Sequence, residues 1–227
     1  MCRLLAQVSL KPDSASRWFF DAPTPFKSFE KEHGDGWGVG WHADGKARVE
    51  KQGRSDCATY DFSAVRKARS NIVLSHFRKA TSGVHSSKNA HPFVENNFLF
   101  AHNGTIAWND AVKKSDSRVY FDKVLARFAD CGDVSEAVCE TVKEARPFCK
   151  SAMNFVLSDG ERLYAFCDWV AVAKSKPADF YRMHFLVRED EHVALCSEPL
   201  SSEKWEPMER GELLIVGKNL EAERLRI

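Results

Sequence analysis

The 227-residue sequence lacks three features that would each indicate a broad class of protein. It has no apolar run approaching the ~18–20 residues that span a bilayer, so a transmembrane helix is not expected. It has almost no net charge, because 33 basic residues stand against 32 acidic ones, which gives no electrostatic reason to expect binding to nucleic acid or to an anionic membrane. The N-terminus lacks the apolar stretch and small-residue cleavage site of a secretory signal, and we therefore expect a cytoplasmic protein.

Patterns that would indicate a metal site or a disulfide framework are also missing. The seven cysteines are an odd number, none form a C-x-x-C pair, and no H-E-x-x-H or similar Cys/His spacing occurs. We therefore predict no zinc and no cofactor, and expect most cysteines to be reduced, several of them as small buried hydrophobic residues. Cys2 differs from the other six because it lies at the start of the chain.

Short strand-like runs dominate the sequence, and helical patterns are grouped between them. Strands are predicted at residues 2–10, 37–41, 47–51, 71–77, 98–101, 152–157, 162–167, 181–187, 193–196 and 213–216. Asp-Gly pairs at residues 44–45 and 159–160 predict tight hairpins. Helices are predicted at residues 61–69, 117–128 and 134–145, and Ser115 or Asp116 is placed to cap the second. No linker is evident, so residues 1–227 predict a single α+β domain of packed sheets covered by helices.

Cys2 is the first residue that can carry chemistry. Removal of Met1 would leave a thiol and a free α-amine on one residue. An α-amine titrates near ~7.7–8.0, so at neutral pH a useful fraction of it is a base. Such a residue is a nucleophile with its own proton acceptor, whereas a retained Met1 would turn the amine into a non-basic amide. The alternative is that Met-Cys begins the chain by chance.

Asn103 and Gly104 follow a predicted buried strand. A side-chain amide and an unobstructed backbone N–H close together can stabilise the oxyanion of a tetrahedral intermediate. The alternative is an ordinary Asn-Gly turn after the strand.

Four further residues are candidates for binding a substrate. Arg78 ends a predicted strand and can bind a carboxylate through two parallel hydrogen bonds. The hydroxyl of Thr81 would add a further contact to the same carboxylate. The alternative for Arg78 is a solvated surface arginine. His91 either shapes the pocket or is a structural histidine, and Asp116 either caps a helix or holds an ammonium group.

A glycine-dense segment at residues 34–41 does not match the G-x-G-x-x-G pattern, and no helix is predicted after it. We therefore predict a strand that another backbone or a ligand approaches closely, and not a phosphate-binding loop.

Five short motifs occur in a set order: Met-Cys at the start, D-G-W-G at residues 35–38, H-F-R-K-A-T at 76–81, N-A-H-P-F at 89–93 and A-H-N-G at 101–104. This order resembles the class II glutamine amidotransferases, in particular stand-alone bacterial amidotransferase-like proteins and their γ-glutamyl hydrolase relatives. The clear matches cover residues 1–118, and Ser197-Glu198-Pro199-Leu200 resembles the family's closing strands more loosely.

The resemblance implies the four-layer αββα fold of N-terminal nucleophile hydrolases. It implies Cys2 as nucleophile with its α-amine as base, and Asn103 and Gly104 as the oxyanion hole. It also implies that Arg78 and Thr81 bind the α-carboxylate of a small-molecule substrate and that Asp116 binds its α-ammonium group. The chain departs from many family members at Lys79, Ser82 and Arg118, where Trp, His and Glu are common, so the shape of the substrate site is left open.

The expected reaction is hydrolysis of the γ-amide of glutamine or of a γ-glutamyl compound through a γ-glutamyl thioester. One version is a glutaminase that delivers ammonia to a separate partner subunit, and another hydrolyses γ-glutamyl compounds outright. The alternative from a different class is a non-catalytic protein that retains Met1 and uses the pocket to bind an amino acid.

Overall fold

The computed structural model of the protein describes residues 2–80, 84–108, 114–170, 174 and 176–227. These residues form the α-helices α1 (Ser63–Lys67), α2 (Asp116–Cys131) and α3 (Val134–Ala145). Their strands are β1 (Arg3–Asp13), β2 (Gly36–Ala43), β3 (Lys46–Gly53), β4 (Ser70–Arg78), β5 (Phe93–Glu95), β6 (Phe98–Ile106), β7 (Cys149–Ser158), β8 (Arg162–Cys167), β9 (His184–Arg188), β10 (His192–Cys196), β11 (Glu206–Pro207), β12 (Glu212–Gly217) and β13 (Ala222–Arg226).

The strands form two antiparallel sheets that pack face to face. The first sheet has seven described strands in the order β11-β9-β10-β1-β4-β2-β3, and the second has six in the order β13-β12-β8-β7-β6-β5. A core of small and branched side chains, including Leu4, Leu74, Ala101 and Val156, lies between them. Because β1 and β6 occupy interior positions of their sheets, both strands are held on two sides.

Helical segments cover the outer face of each sheet. On the second sheet, α2 and α3 bury an aromatic and aliphatic face that includes Tyr120, Phe121 and Val138. On the first sheet the cover is α1 with a π-helical turn at Arg17–Asp21 and a 3₁₀ turn at Phe26–Lys31, around an aromatic cluster. The predicted four-layer αββα arrangement is confirmed, with short turns in place of long helices on one side.

The position of α2 follows from its capping residues. The Ser115 side chain accepts a hydrogen bond from the N–H of Arg118, and Gly132 ends the helix in the left-handed conformation at φ 73°. Ser115 is therefore the N-cap, and Asp116 is the first helical residue. This start lies beside the end of β6, since Ile106 N–H donates to Asp116 Oδ2 at 3.0 Å.

Both predicted hairpins are confirmed. Asp44 and Gly45 adopt positive φ between β2 and β3, and Gly160 does so between β7 and β8, as two-residue and short hairpin turns require. The helix predicted at 61–69 is limited to Ser63–Lys67, and the strand predicted at 181–187 runs from His184 to Arg188. Strand β13 was not predicted, because most of its residues are exposed and pair with β12 through the backbone without an apolar pattern.

Candidate active site

Cys2 lies at the point where the two sheets come together at one end of the sandwich. It immediately precedes β1 of the first sheet, while its backbone nitrogen donates to Oδ1 of Asn103, on β6 of the second sheet, at 3.0 Å. Its Sγ lies 3.8 Å from the carbonyl oxygen of Lys79, just beyond β4. The thiol and the backbone nitrogen of Cys2 are therefore held by two different neighbours.

Residues from the last third of the chain fix the start of β1. Leu4 N–H donates to Ser197 Oγ at 2.9 Å, and Ser197 N–H donates back to Leu4 O at 3.0 Å. The buried Arg3 side chain forms an ion pair with Glu198 and donates to Cys2 O at 3.3 Å. Ser197 and Glu198 therefore hold the backbone beside Cys2 in place.

Asn103 and Gly104 are fixed by pairing between β6 and β7. Asn103 is opposite Asn154 and Gly104 is opposite Met153. Asn103 is buried, and because its Oδ1 accepts from Cys2, its Nδ2 remains as the donor. Gly104 has no space for a side chain, since an added Cβ would lie 1.8 Å from the carbonyl oxygen of Ala152.

Arg78 is the last residue of β4 and is 7% exposed. Its Nη1 donates to Val84 O at 3.0 Å. Asp35 braces the segment that follows, since its N–H donates to Arg78 O at 3.1 Å and its Oδ2 accepts from Ala80 N–H at 2.8 Å. The D-G-W-G motif thus supports the loop that starts at Arg78, whereas Thr81 lies outside the described residues.

His91 belongs to a buried pair of imidazoles. Its Nδ1 lies 3.1 Å from Nε2 of His76. Burial lowers the pKa of both rings well below 6.5, and the charge of Arg78 lowers the pKa of His76 further, so we describe both as neutral. The close approach predicted for the glycine-rich strand is confirmed, since a Cβ on Gly38 would lie 2.4 Å from the carbonyl oxygen of His91.

Asp116 joins α2 to the end of β6. Its Oδ2 accepts from Ile106 N–H and its Oδ1 accepts from Ser117 N–H at 2.9 Å. Sequence reasoning assigned no role to the neighbouring His102, whose Nδ1 lies 2.8 Å from Ser117 Oγ. Burial lowers the pKa of His102, and the Asp116 carboxylate opposes that shift.

Six of the seven predicted site residues surround one cavity of about 90 Å³: Cys2, Arg78, His91, Asn103, Gly104 and Asp116. The lining also includes Lys79, at which the sequence departs from many family members, and residues that were not predicted, namely Ala80, Asn89, His102, Thr105, Ser115, Ser117, Ser151 and Tyr181. His102 lies inside the A-H-N-G motif and could have been found there. Ser151 and Tyr181 lie far along the chain and carry no local signal.

The thiol of Cys2 needs a base before it can attack an electrophile. Burial raises the pKa of the thiol, although contact with the Lys79 backbone and the charge of Arg78 oppose this effect. Within the described part of the chain, no histidine nitrogen is hydrogen-bonded to Sγ. A Cys–His pair of the kind found in many cysteine hydrolases is therefore not formed by these residues. The described residues also contain no group of three His, Cys, Asp or Glu side chains that could hold a metal ion.

Residues 1–222 match the sequence model of the class II glutamine amidotransferases. The chain belongs to this family. Its members act on the amide of glutamine, and the chain is 24% identical to a putative glutamine amidotransferase of Haemophilus influenzae, over 93% of this chain and 82% of that protein. It is 28% identical to an uncharacterized protein of Methanocaldococcus jannaschii over 84% of its own length, but spans only 63% of that protein.

Solved structures show the same fold at low sequence identity. The glutamine phosphoribosylpyrophosphate amidotransferase of Bacillus subtilis superposes with a TM-score of 0.72 at 15% identity, covering 99% of this chain and 49% of that one. A glutamine aminotransferase class-II domain protein of Silicibacter pomeroyi gives a TM-score of 0.62 at 19% identity, covering 100% of this chain and 99% of that one. None of the described helices is long and apolar enough to cross a membrane.

Proposed function

We propose that this amidotransferase is an N-terminal cysteine amidohydrolase that cleaves the γ-amide of glutamine or of a γ-glutamyl compound. One observation carries the proposal: Cys2 nitrogen lies 3.0 Å from Asn103 Oδ1, while Cys2 lines the same cavity as Arg78 and Asp116. A nucleophile, an oxyanion donor and two groups of opposite charge thus surround one small space.

The α-amine of Cys2, freed by removal of Met1, is the base in this proposal. The raised pKa of the thiol keeps it protonated near neutral pH, so attack requires a proton acceptor. The backbone nitrogen of Cys2 donates its N–H to Asn103 Oδ1. After removal of Met1, the α-amine at this position can keep that hydrogen bond and turn its lone pair toward its own thiol. Since an α-amine titrates near ~7.7–8.0, it can both take and return a proton under cellular conditions.

The reaction then proceeds in two acyl-transfer steps. The thiol sulfur bonds to the amide carbon while its proton passes to the α-amine, and the oxyanion accepts hydrogen bonds from Asn103 Nδ2 and Gly104 N–H. The amine returns the proton to the leaving nitrogen, and the C–N bond breaks to leave a γ-glutamyl thioester. Water attacks the thioester, passes a proton through the same amine to sulfur, and releases the γ-carboxyl group.

Two charged groups that line the same cavity orient the substrate. Arg78 binds the α-carboxylate, with Thr81 as a second donor, and Asp116 binds the α-ammonium group. His91, neutral and buried, forms part of the cavity wall. When the α-carboxylate and the α-ammonium group are both bound, the side-chain amide is placed next to Cys2. This orientation lowers the entropic cost of the attack.

Cys2→Ala tests this proposal directly. Alanine also permits removal of Met1, so this variant loses the thiol and keeps the amine. Release of ammonia from glutamine and of amine from γ-glutamyl anilides should vanish, whereas Cys131→Ala, at an exposed cysteine on α2, should retain the wild-type rate. A Cys2→Ala protein with wild-type turnover would overturn the mechanism, and a wild-type protein that binds glutamine without releasing glutamate would favour the binding-protein alternative.

A further inference from the structure

A second, larger cavity adjoins the one that contains Cys2. Its volume is about 560 Å³, against about 90 Å³ for the first, and the two share Asn89 and Ser115 as lining residues. The small cavity suits an amino-acid head group. A larger substituent on the amide nitrogen would need neighbouring space of this kind.

Positive charge dominates the lining of the second cavity. Lys51, Lys88, Lys114 and Arg118 line it together with one carboxylate, Glu95. Part of this charge is balanced, because Arg118 forms ion pairs with Glu95 and Asp122, and Lys114 pairs with Asp122 at 2.8 Å. Lys51 forms no ion pair within the described chain, and its Nζ donates to a backbone carbonyl, Ala90 O, at 2.8 Å.

Two of these cations lie close to one aromatic ring. Lys51 Nζ is 5.1 Å from the centroid of Phe93, and the guanidinium of Arg118 is 5.9 Å from it. Phe93 is buried, and after burial the charge of Arg118 lowers the pKa of Lys51, so the carboxylates paired with Arg118 do not fully offset the repulsion between the two cations. An anion placed between them would relieve that repulsion.

The position of Arg118 is unfavourable for α2 taken alone. It lies in the first turn, where the helix dipole favours acidic side chains. Lys51 is equally constrained, because it pairs with Gly38 across the hairpin, and a side chain at Gly38 would lie 2.7 Å from Lys51 Cβ. Arg118 is thus held at this cavity against the local preference of its helix, which is common at binding sites, and the close packing of Gly38 fixes the position of Lys51.

We propose that Lys51 and Arg118 form a subsite for an anionic group on the amine part of a γ-glutamyl amide. The preferred substrate is then a γ-glutamyl conjugate of an amine that carries a carboxylate or a phosphonate or phosphate group, and not glutamine itself. This inference rests on the proposed function, since it assumes that the γ-glutamyl part occupies the Cys2 cavity.

Matched substrates test the subsite. In γ-glutamylglycine the leaving amine carries a carboxylate, in γ-glutamylglycinamide it is neutral, and in γ-glutamylaminomethylphosphonate it carries a phosphonate. One charge-assisted contact should raise kcat/KM for an anionic substrate over the neutral one by about 10-fold or more. Whichever anionic substrate is favoured identifies the class of anion, whereas equal kcat/KM for all three overturns the proposal.

Variants assign the effect to its residues. Lys51→Gln and Arg118→Gln should each reduce the preference for anionic over neutral substrates severalfold or more, while kcat/KM for γ-glutamylglycinamide stays near wild type. Lys51→Arg keeps the positive charge and should therefore keep the preference. Lys46→Gln, at the exposed start of the same strand, is the matched control. A preference that survives in both Lys51→Gln and Arg118→Gln would contradict the assignment.

The pH dependence of the preference provides another readout. Burial, followed by the charge of Arg118, lowers the pKa of Lys51 to about 8, so the preference should decline as pH rises above 8. The other charged groups that line this cavity are Lys88, Glu95, Lys114 and Arg118. Ionisation of the Cys2 amine cancels in the ratio of two substrates.

Measurements of ligand binding can test the subsite independently of the proposed catalytic mechanism. The dissociation constants of Cys2→Ala for γ-glutamylglycine and γ-glutamylglycinamide, measured by calorimetry, need no turnover. Tighter binding of the anionic ligand supports the subsite even if the catalytic proposal fails. Equal dissociation constants reject the subsite even if glutamine is hydrolysed.

Discussion

Replacement of Asn103 by alanine is the substitution with the most clearly separable consequences. Its side chain has two tasks in the proposed mechanism: Oδ1 accepts from Cys2 nitrogen at 3.0 Å, and Nδ2 donates to the oxyanion. Loss of an oxyanion donor costs about 10²–10³ in turnover, or about 2.7–4 kcal/mol. Loss of a neutral hydrogen bond to the amine adds about 0.5–1.5 kcal/mol, because the base is then less well oriented.

The changes in kcat and KM should show which of the two hydrogen bonds of Asn103 matters. The oxyanion exists only in the transition state, so Asn103→Ala should lower kcat with little change in KM. Asn103→Asp keeps an acceptor for the amine but loses the donor and adds a negative charge, so its kcat should be no higher than that of Asn103→Ala. Asn71→Ala removes an asparagine hydrogen bond to Ser9 O, far from the cavity, and should keep the wild-type kcat.

Steady-state release of glutamate from glutamine, with thermal unfolding as a check on the fold, measures these effects. An Asn103→Ala enzyme with the full rate would show that the oxyanion hole has been misplaced. A rise in KM at constant kcat would instead assign Asn103 to ground-state binding.

Three further predictions concern the same site and its surroundings. Gly104→Ala should destabilise the protein by at least about 1–3 kcal/mol and abolish activity, because its Cβ would collide with the carbonyl of Ala152; an unchanged melting temperature would contradict this. Arg78→Lys should raise KM for glutamine about 10-fold with a smaller effect on kcat, since a lysine lacks the planar fork, and an unchanged KM would remove Arg78 from the carboxylate site. Burial lowers the pKa of His76 and His91 well below 6.5, so the unfolded chain binds more protons than the folded chain as pH falls below about 6.5. Each buried histidine should then cost up to about 1.4 kcal/mol of unfolding free energy per pH unit below 6.5, and denaturant titrations that give equal stability at pH 7 and pH 5 would refute this.

Much of the fold could be predicted from local patterns, because alternating apolar residues and turn glycines act over short distances. The two Asp-Gly hairpins and the helices α2 and α3 are examples. The turns at Arg17–Asp21 and Phe26–Lys31 on the first sheet could not be predicted, since they are stabilised mainly by the burial of Trp18, Phe19 and Phe26 in an aromatic cluster that forms only in the folded chain. Strand β13 was missed for the opposite reason: its exposed residues carry no apolar alternation.

The residues of the candidate site could likewise be predicted only in part. Most of its predicted residues lie within short motifs, and the fold brings residues from the start of the chain, the end of β4, the interior of β6 and the start of α2 to one cavity. The positions of Ser151 and Tyr181 depend on the folded sandwich, which no local motif encodes. The role of Asp35 in bracing the loop after Arg78 and the pairing of His76 with His91 are likewise tertiary contacts.

The proposed mechanism requires that the mature chain begin at Cys2 and that its thiol be the nucleophile. Intact mass of the protein from its native host, measured before and after treatment with a glutamine-mimicking electrophile, tests it most directly. We predict a chain that lacks one methionine and gains a single adduct, which peptide mapping assigns to Cys2. An active protein that retains Met1 would rule out this mechanism, as would an adduct on any of the other six cysteines while Cys2 stays unmodified.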